Sequence, residues 1–433
     1  MSERVLKCPS CGAEIAFESA GTVVVVCAHC AHAIRRTDVA LETIGKVAMP
    51  AELVSEFKLG TQGAFEGERF TVRGQVQLDH GAGPWNEWSA ETTRGKWRWL
   101  AEAQGKVLVL RERGAGSPSV EPAGLHVGAE VRLDEGAAFV VSELGEGTVL
   151  AAAGELPITL TPGATTRYAD LSRPGGFATI DWTRTPVEVF VGRAVTLDEL
   201  ALDARTTPAK RPSRAKGERV TCKHCGAAIA LLDPQHAVTV ACPACATLVD
   251  GRSAHLVARQ AQEKLAKPAI RLGLTTRFRA KDVQVLGCLR RGVRYEGRLF
   301  PWNEYLLREA DGEYSWLVEN NGHWLHARPL EPGAVKLGPR YANHRSISFK
   351  HFDGGKAEVL SVLGEFYWEV RVGDKVDVAD YVHGIEMLSS ERDGKELSVS
   401  HSTHVPPEEV AAAFQCKLSA RKGVGAVQPN PHP

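Results

Sequence analysis

The segment Cys8-Pro9-Ser10-Cys11-Gly12-Ala13-Glu14-Ile15 reads again as Cys222-Lys223-His224-Cys225-Gly226-Ala227-Ala228-Ile229, 214 residues farther along. Each copy is followed by a second Cys-x-x-Cys pair, Cys27/Cys30 after fifteen intervening residues and Cys242/Cys245 after sixteen. Paired Cys-x-x-Cys motifs at this spacing form the zinc-ribbon pattern, in which two hairpin knuckles each bring two thiolates to one tetrahedral ion. Gly12 and Gly226 follow the leading pairs, where a residue with positive φ turns backbone N–H groups toward the sulfurs. Two zinc ions per chain are expected, with iron in a four-thiolate site as the alternative that spacing leaves open. Disulfides fit poorly, because the N-terminal residues carry no apolar secretory core. A redox dithiol would want a βαβ setting rather than strands and turns. With four thiolates bound, no coordination position remains for a substrate, so the ion is expected to be structural. His29, His32 and His224 stand near the knuckles as solvent-facing or supporting groups rather than ligands.

Working outward from the ribbons, the match continues. Trp85-Asn86-Glu87-Trp88 reappears as Trp302-Asn303-Glu304-Tyr305, and Trp99-Leu100 as Trp316-Leu317, both at an offset of 217. Gly154-Glu155 reappears as Gly364-Glu365, and Ala169-Asp170 as Ala379-Asp380, at an offset of 210. A near-constant offset over some 200 residues is a tandem duplication. It divides the chain into ribbon 1–36, connector 37–57, β domain 58–204, linker 205–217, ribbon 218–251, helical connector 252–268, β domain 269–418 and a disordered tail 419–433. The linker is Pro- and Arg-rich and lacks apolar periodicity, as a solvated spacer does.

The repeated domain is predicted to be mainly β, an antiparallel β-barrel or strongly curved sheet after each zinc ribbon. Apolar residues alternate at Phe70, Val72, Val76 and Leu78, at Val187, Val189 and Val191, and at Trp368, Val370 and Val372. Asp311-Gly312 and Asn321-Gly322 mark hairpins. A helix is expected over Ser253–Leu265. Thr196 and Glu199 form a capping box, and Pro406-Pro407 opens a counterpart helix ending near Phe414.

These residues resemble those of a bacterial family filed as domain of unknown function four-one-seven-eight. In the second copy the resemblance rests on Leu272-Gly273, Trp302-Asn303-Glu304-Tyr305, Trp316-Leu317 and Gly364-Glu365-Phe366. The first copy departs at Trp88, which replaces the tyrosine, and at Leu156-Pro157, which replace the late aromatics. The resemblance implies little chemistry and a partner class: membrane-stress proteins of the phage-shock type, small membrane proteins and polyamine-synthesis-like enzymes.

Candidate ligand or interaction residues are Trp85, Glu87, Trp99, Glu155, Trp302, Glu304, Tyr305, Trp316 and Glu365. Two-residue spacing puts Glu87 on the side of Trp85 and Glu304 on that of Trp302. A carboxylate against an indole has a raised pKa or binds a cation; the plainer reading is a glutamate accepting backbone N–H bonds at a bulge or strand end. Asp170 and Asp380 read as turn caps, and Cys288 as a buried thiol. No nucleophile elbow, phosphate-cradling glycine loop or His-Glu-x-x-His pattern accompanies these residues.

Lys+Arg and Asp+Glu number 52 each, and residues 1–217 carry 24 basic against 27 acidic side chains. Neither half is basic enough to be driven onto a polyanion, which disfavours a nucleic-acid role. No apolar run reaches the roughly 18 residues that span a bilayer. The sequence alone thus points to a cytoplasmic, non-enzymatic zinc-binding adaptor with protein partners, some of them membrane-associated. A nucleic-acid-binding ribbon protein, and an enzyme or polyamine binder using a Glu in an aromatic pocket, are the alternatives.

Overall fold

Alternation of buried and half-buried side chains shapes the strand Glu68–Asp79, and a bulge between Val72 and Gly74 bends it. The computed structural model describes residues 4–37, 41–50, 55–80, 84–103, 106–113, 124–133, 136–183, 187–208, 219–234, 236–251, 256–258 and 267–418. Linker residues 209–217 and the tail 419–433 lie outside these. The chain forms two units, Met1–Arg211 and Pro212–Pro433, which are described separately.

In the first unit, Glu68–Asp79, Pro84–Thr92, Trp97–Ala103 and Lys106–Glu112 follow one another as an antiparallel meander. The chain then crosses over, and Glu188–Val195, Gly176–Asp181, Thr165–Arg173 and Phe139–Leu156 run back in reverse order. Phe139–Leu156 pairs with Glu68–Asp79 and closes an eight-stranded antiparallel ring. The second unit repeats the ring, with Ile347–Phe366 closing onto Lys281–Tyr295. Between barrel and curved sheet, the structure is a barrel, twice.

Side chains that meet across non-neighbouring strands identify the interior. Trp99 meets Phe190 edge-on at 6.3 Å, and Trp85 meets Tyr168 at 6.4 Å. The outer face of the first ring is covered by Phe57, Leu200 and Leu202, and that of the second by the α-helix Pro407–Phe414 through Val410 and Phe414. The expected capping box is present, with Thr196 N–H donating to Glu199 Oε2 (2.8 Å) and Glu199 N–H to Thr196 Oγ1 (3.3 Å). It opens only a 3-10 turn, Asp198–Leu200.

The closing strand joins barrel to ribbon. Its residues 140–148 pair with Thr165–Arg173, 149–154 with Glu68–Asp79, and 154–156 with Val24–Val26 of the ribbon. Gly154 makes the handover with φ +74°, and a Cβ there would stand 2.2 Å from the Arg73 carbonyl oxygen. Opposite it, a Cβ on Gly74 would stand 2.2 Å from the Glu155 carbonyl oxygen. Gly364 and Gly287 form the same pair in the second copy, with φ +81° at Gly364. Two backbones cross too closely for any side chain.

Two expectations are corrected. The connectors begin as strands: Leu41–Lys46 pairs with His32–Arg36, and Leu256–Ala258 with Leu248–Asp250. The open edge of the ribbon sheet offers backbone partners, and that pairing outweighs the helical pattern of 253–265. The rest of that expected helix, apart from Leu256–Ala258, lies outside the described residues. Trp368–Val372 is not a strand but a loop between Ile347–Phe366 and Lys375–His383. Its backbone is satisfied by Thr239, whose hydroxyl donates to the Trp368 carbonyl (2.9 Å) and accepts from Val370 N–H (3.1 Å). Val370 is buried as in a strand, so its periodicity misled.

Candidate functional site

Each ribbon gathers four sulfurs. Cys8 and Cys11 come from the hairpin Arg4–Lys7/Glu14–Phe17, and Cys27 and Cys30 from the turn between Val24–Val26 and His32–Arg36. Cys8 N–H is tied to the Ala13 carbonyl and Cys27 N–H to that of His32, fixing both knuckles. Gly12 and Gly226 adopt the expected positive φ, and Ala31 and Ala246 do the same after the trailing pairs. The Sγ–Sγ distances are 3.7 Å for Cys8–Cys30 and 3.8 Å for Cys11–Cys27. In the second ribbon they are 3.7 Å for Cys222–Cys245 and 3.8 Å for Cys225–Cys242. A tetrahedron with metal–sulfur bonds of about 2.3 Å has an edge of about 3.8 Å. Both sets therefore fit a metal ion, which could be zinc. His29 and His224 are exposed and lie outside the sulfur sets.

Glu155 and Glu365 clamp ribbon to barrel. Glu155 is buried and accepts the N–H groups of Glu18 (2.9 Å) and Ser19 (3.2 Å) and the Thr22 hydroxyl. Glu365 accepts the N–H groups of Leu232 (2.5 Å) and Asp233 (2.8 Å), and burial pushes its carboxyl up to about 7. The backbone-acceptor role weighed for Glu87 and Glu304 is thus filled by Glu155 and Glu365.

Glu87 and Glu304 lie in the barrel interiors. Trp85 Nε1–H donates to Glu87 Oε1 at 3.2 Å, and Trp302 Nε1–H to Glu304 Oε1 at 2.6 Å. Burial raises the pKa of both. Asp170 and Asp380, expected at turns, stand in mid-strand and join the same interiors, accepting from Thr179 (2.7 Å) and Ser389 (2.6 Å) hydroxyls. Burial lifts Asp170 to about 8 and Asp380 to about 6.

Sequence reasoning missed the side chain that separates the two interiors. Arg291 sits nine-tenths enclosed in the second barrel, its Nη1 3.2 Å from Glu304 Oε1 and 2.7 Å from Glu391 Oε1. Nη2 completes the pair with Glu391 at 3.1 Å, and the guanidinium lies 5.8 Å over the Trp302 ring. The available signal was an arginine at the strand parity of Trp302.

The aromatic candidates divide. Trp99 and Trp316 line the interiors, Trp316 meeting Trp368 at 5.4 Å. Tyr305 faces outward, stacked on Trp324 at 5.9 Å with its hydroxyl accepting Ala269 N–H (3.0 Å). Beside it a cavity of about 330 Å³ is lined by Lys267, Cys288, Arg290, Trp302 and Glu319. Glu319 there is held by Asn303 (2.8 Å) and Gly322 N–H (2.9 Å), and burial pushes the Cys288 thiol up to about 12.

No curated protein and no solved structure matches the chain. The described family Domain of unknown function (DUF4178) matches residues 58–197 and again 271–407, ranges that hold both rings and leave both cysteine sets outside. The matched residues exceed half of the chain, which therefore belongs to that family and carries its domain twice.

Proposed function

We propose that this protein is a non-enzymatic, zinc-stabilised scaffold that presents two β modules to protein partners. The observation that carries this reading is the closed four-thiolate set of each ribbon, joined to its barrel by the closing strand and a buried glutamate. Four thiolates leave no position for a substrate or an activated water, so the ion acts on folding rather than on a reaction. Three of the candidate acids point the same way, since Glu155 and Glu365 are spent on backbone N–H groups and Glu304 on an indole and an internal ion pair.

The second module also exposes Tyr295, Phe300, Tyr341 and Phe352, with Tyr295 at 66% accessibility. Large exposed aromatics fit protein recognition better than solvation. The family resemblance supplies the partner class, a bacterial membrane-stress system, and a cytoplasmic setting keeps the thiolates reduced.

Elemental analysis of the purified chain tests the metal, with two zinc ions expected per chain and about one after Cys8→Ser. A count near zero, or iron in place of zinc, overturns that part. Cross-linking in native cells tests the scaffold. A stoichiometric protein partner lost on Phe300→Ser/Phe352→Ser and kept on Glu304→Gln is expected. A chain that captures nothing and stays monomeric overturns the reading.

A further inference from the structure

The glycine pairs Gly74/Gly154 and Gly287/Gly364 fix the register between the two barrels. Within that register Trp85 corresponds to Trp302, Glu87 to Glu304, Asp170 to Asp380 and Asp181 to Glu391. Three of these four pairs keep the residue, and the fourth keeps the charge. Arg291, however, corresponds to Leu78, each lying opposite its tryptophan.

In the second barrel the guanidinium of Arg291 joins Glu304 and Glu391 from opposite sides of the ring and lies over Trp302. The first barrel keeps the indole and both acids, and its Glu143, at the position of Asp353 in the second, accepts the Tyr168 hydroxyl at 2.8 Å. Leu78 ends two bonds short of where a guanidinium carbon would stand. Among the described residues, the charged groups that raise Glu87 and Asp170 beyond burial are acids, Asp181 for the first and Glu143 and Glu87 for the second. Of the other bases, His80 meets Trp85 edge-on at 5.1 Å.

We propose that the first barrel is a binding site for a small organic cation of the guanidinium or ammonium class, held by Glu87 and Asp181 against Trp85, where the second barrel supplies the same cation from its own Arg291. The two copies then differ in kind: one is permanently filled by its own side chain and the other is responsive. Tyr168, at the position of Val378, stands 6.4 Å from Trp85 as a second aromatic wall, which selects a compact head group rather than a long ligand. Charge recognition between aromatic faces in a low-dielectric interior favours a cation over its neutral isostere.

The test is a titration of the full chain with methylguanidinium at pH 8.5 and constant ionic strength, with N-methylurea as the neutral control. The readout is the Trp85 indole proton by NMR, assigned through Trp85→Phe. One saturable site is expected for methylguanidinium and none for N-methylurea. Glu87→Gln and Leu78→Arg should each weaken binding at least tenfold, the latter by placing the cation in cis. If Leu78→Arg does not fold, the reciprocal Arg291→Leu decides, and it should gain a second site read at the Trp302 indole. Absence of a saturable shift in the wild-type chain overturns the proposal. So does undiminished binding in Glu87→Gln, or failure of folded Arg291→Leu to gain a site. None of these outcomes touches the zinc count, so the scaffold reading stands or falls separately.

Discussion

Asp170 shows what burial beside other acids does at the scale of one residue. Burial, with Glu143 and Glu87 nearby, holds its carboxyl up at about 8, against 3.8 for a free aspartate. The folded chain therefore keeps a proton that the unfolded chain has lost between about pH 4 and pH 8, so this residue's contribution to stability falls as pH rises through that window. Asp170→Asn keeps an acceptor for Thr179 and removes the ionisation. It should stabilise the first unit by on the order of 1–2 kcal/mol at pH 8 and flatten its dependence on pH. Thermal melts from pH 6 to 9 check this, and identical slopes in both proteins would remove Asp170 from the account. The Trp-x-Glu pairing was legible in the sequence because residues two apart on a strand share a face. Arg291 was not, because its partner Glu391 lies 100 residues away and only ring closure brings the two together. Asp170 and Asp380 were misread for a related reason: a short acid between apolar neighbours suits a turn as well as an interior-facing strand position, and the donors Thr179 and Ser389 come from the next strand.

Among the elements, the closing strand Phe139–Leu156 has the most to do, since it serves two barrel neighbours and then the ribbon. Bulges at Val141/Glu143 and Val149/Ala151 turn it from one partner to the next. Gly154 is the point with no tolerance. Gly154→Ala meets both the Arg73 carbonyl and an unfavourable positive φ, and should cost more than about 3 kcal/mol. Denaturant unfolding of the variant measures the loss, and a chain within about 0.5 kcal/mol of wild type would show that the crossing can relax. Much at this scale was readable beforehand: the hairpins, the alternating strands, the helix ending at Phe414 and the Gly-Glu repeat. What escaped was whatever depends on a distant edge. Leu256–Ala258 became a strand because the ribbon sheet had an open side, and Trp368–Val372 became a loop because Thr239 met its backbone.

For the whole molecule, the duplication supplies two rings with the same ribbon attachment and different interiors. Ring closure itself was not decidable from the sequence, because a curved sheet and a barrel share alternation and hairpins, and differ only in whether the last strand finds the first. Cysteine spacing, by contrast, fixed the sulfur sets completely, since the four ligands sit in two local turns. The attachment has a further consequence for how the chain fails. The ribbon strand Val24–Val26 covers the end of Phe139–Leu156 that protrudes beyond the ring, and Thr239–Ala241 covers the end of Ile347–Phe366. Stripping the ions would let the knuckles open and uncover hydrogen-bonding edges flanked by apolar residues such as Leu156 and Phe366. Such edges recruit other chains before a closed ring loses its strands. Chelation should therefore produce concentration-dependent light scattering while the far-ultraviolet β signal persists, and a solution that stays clear until that signal collapses would argue otherwise. On this view the ion guards against self-association as much as it holds a fold, and metal starvation in a cell would be felt first as clumping.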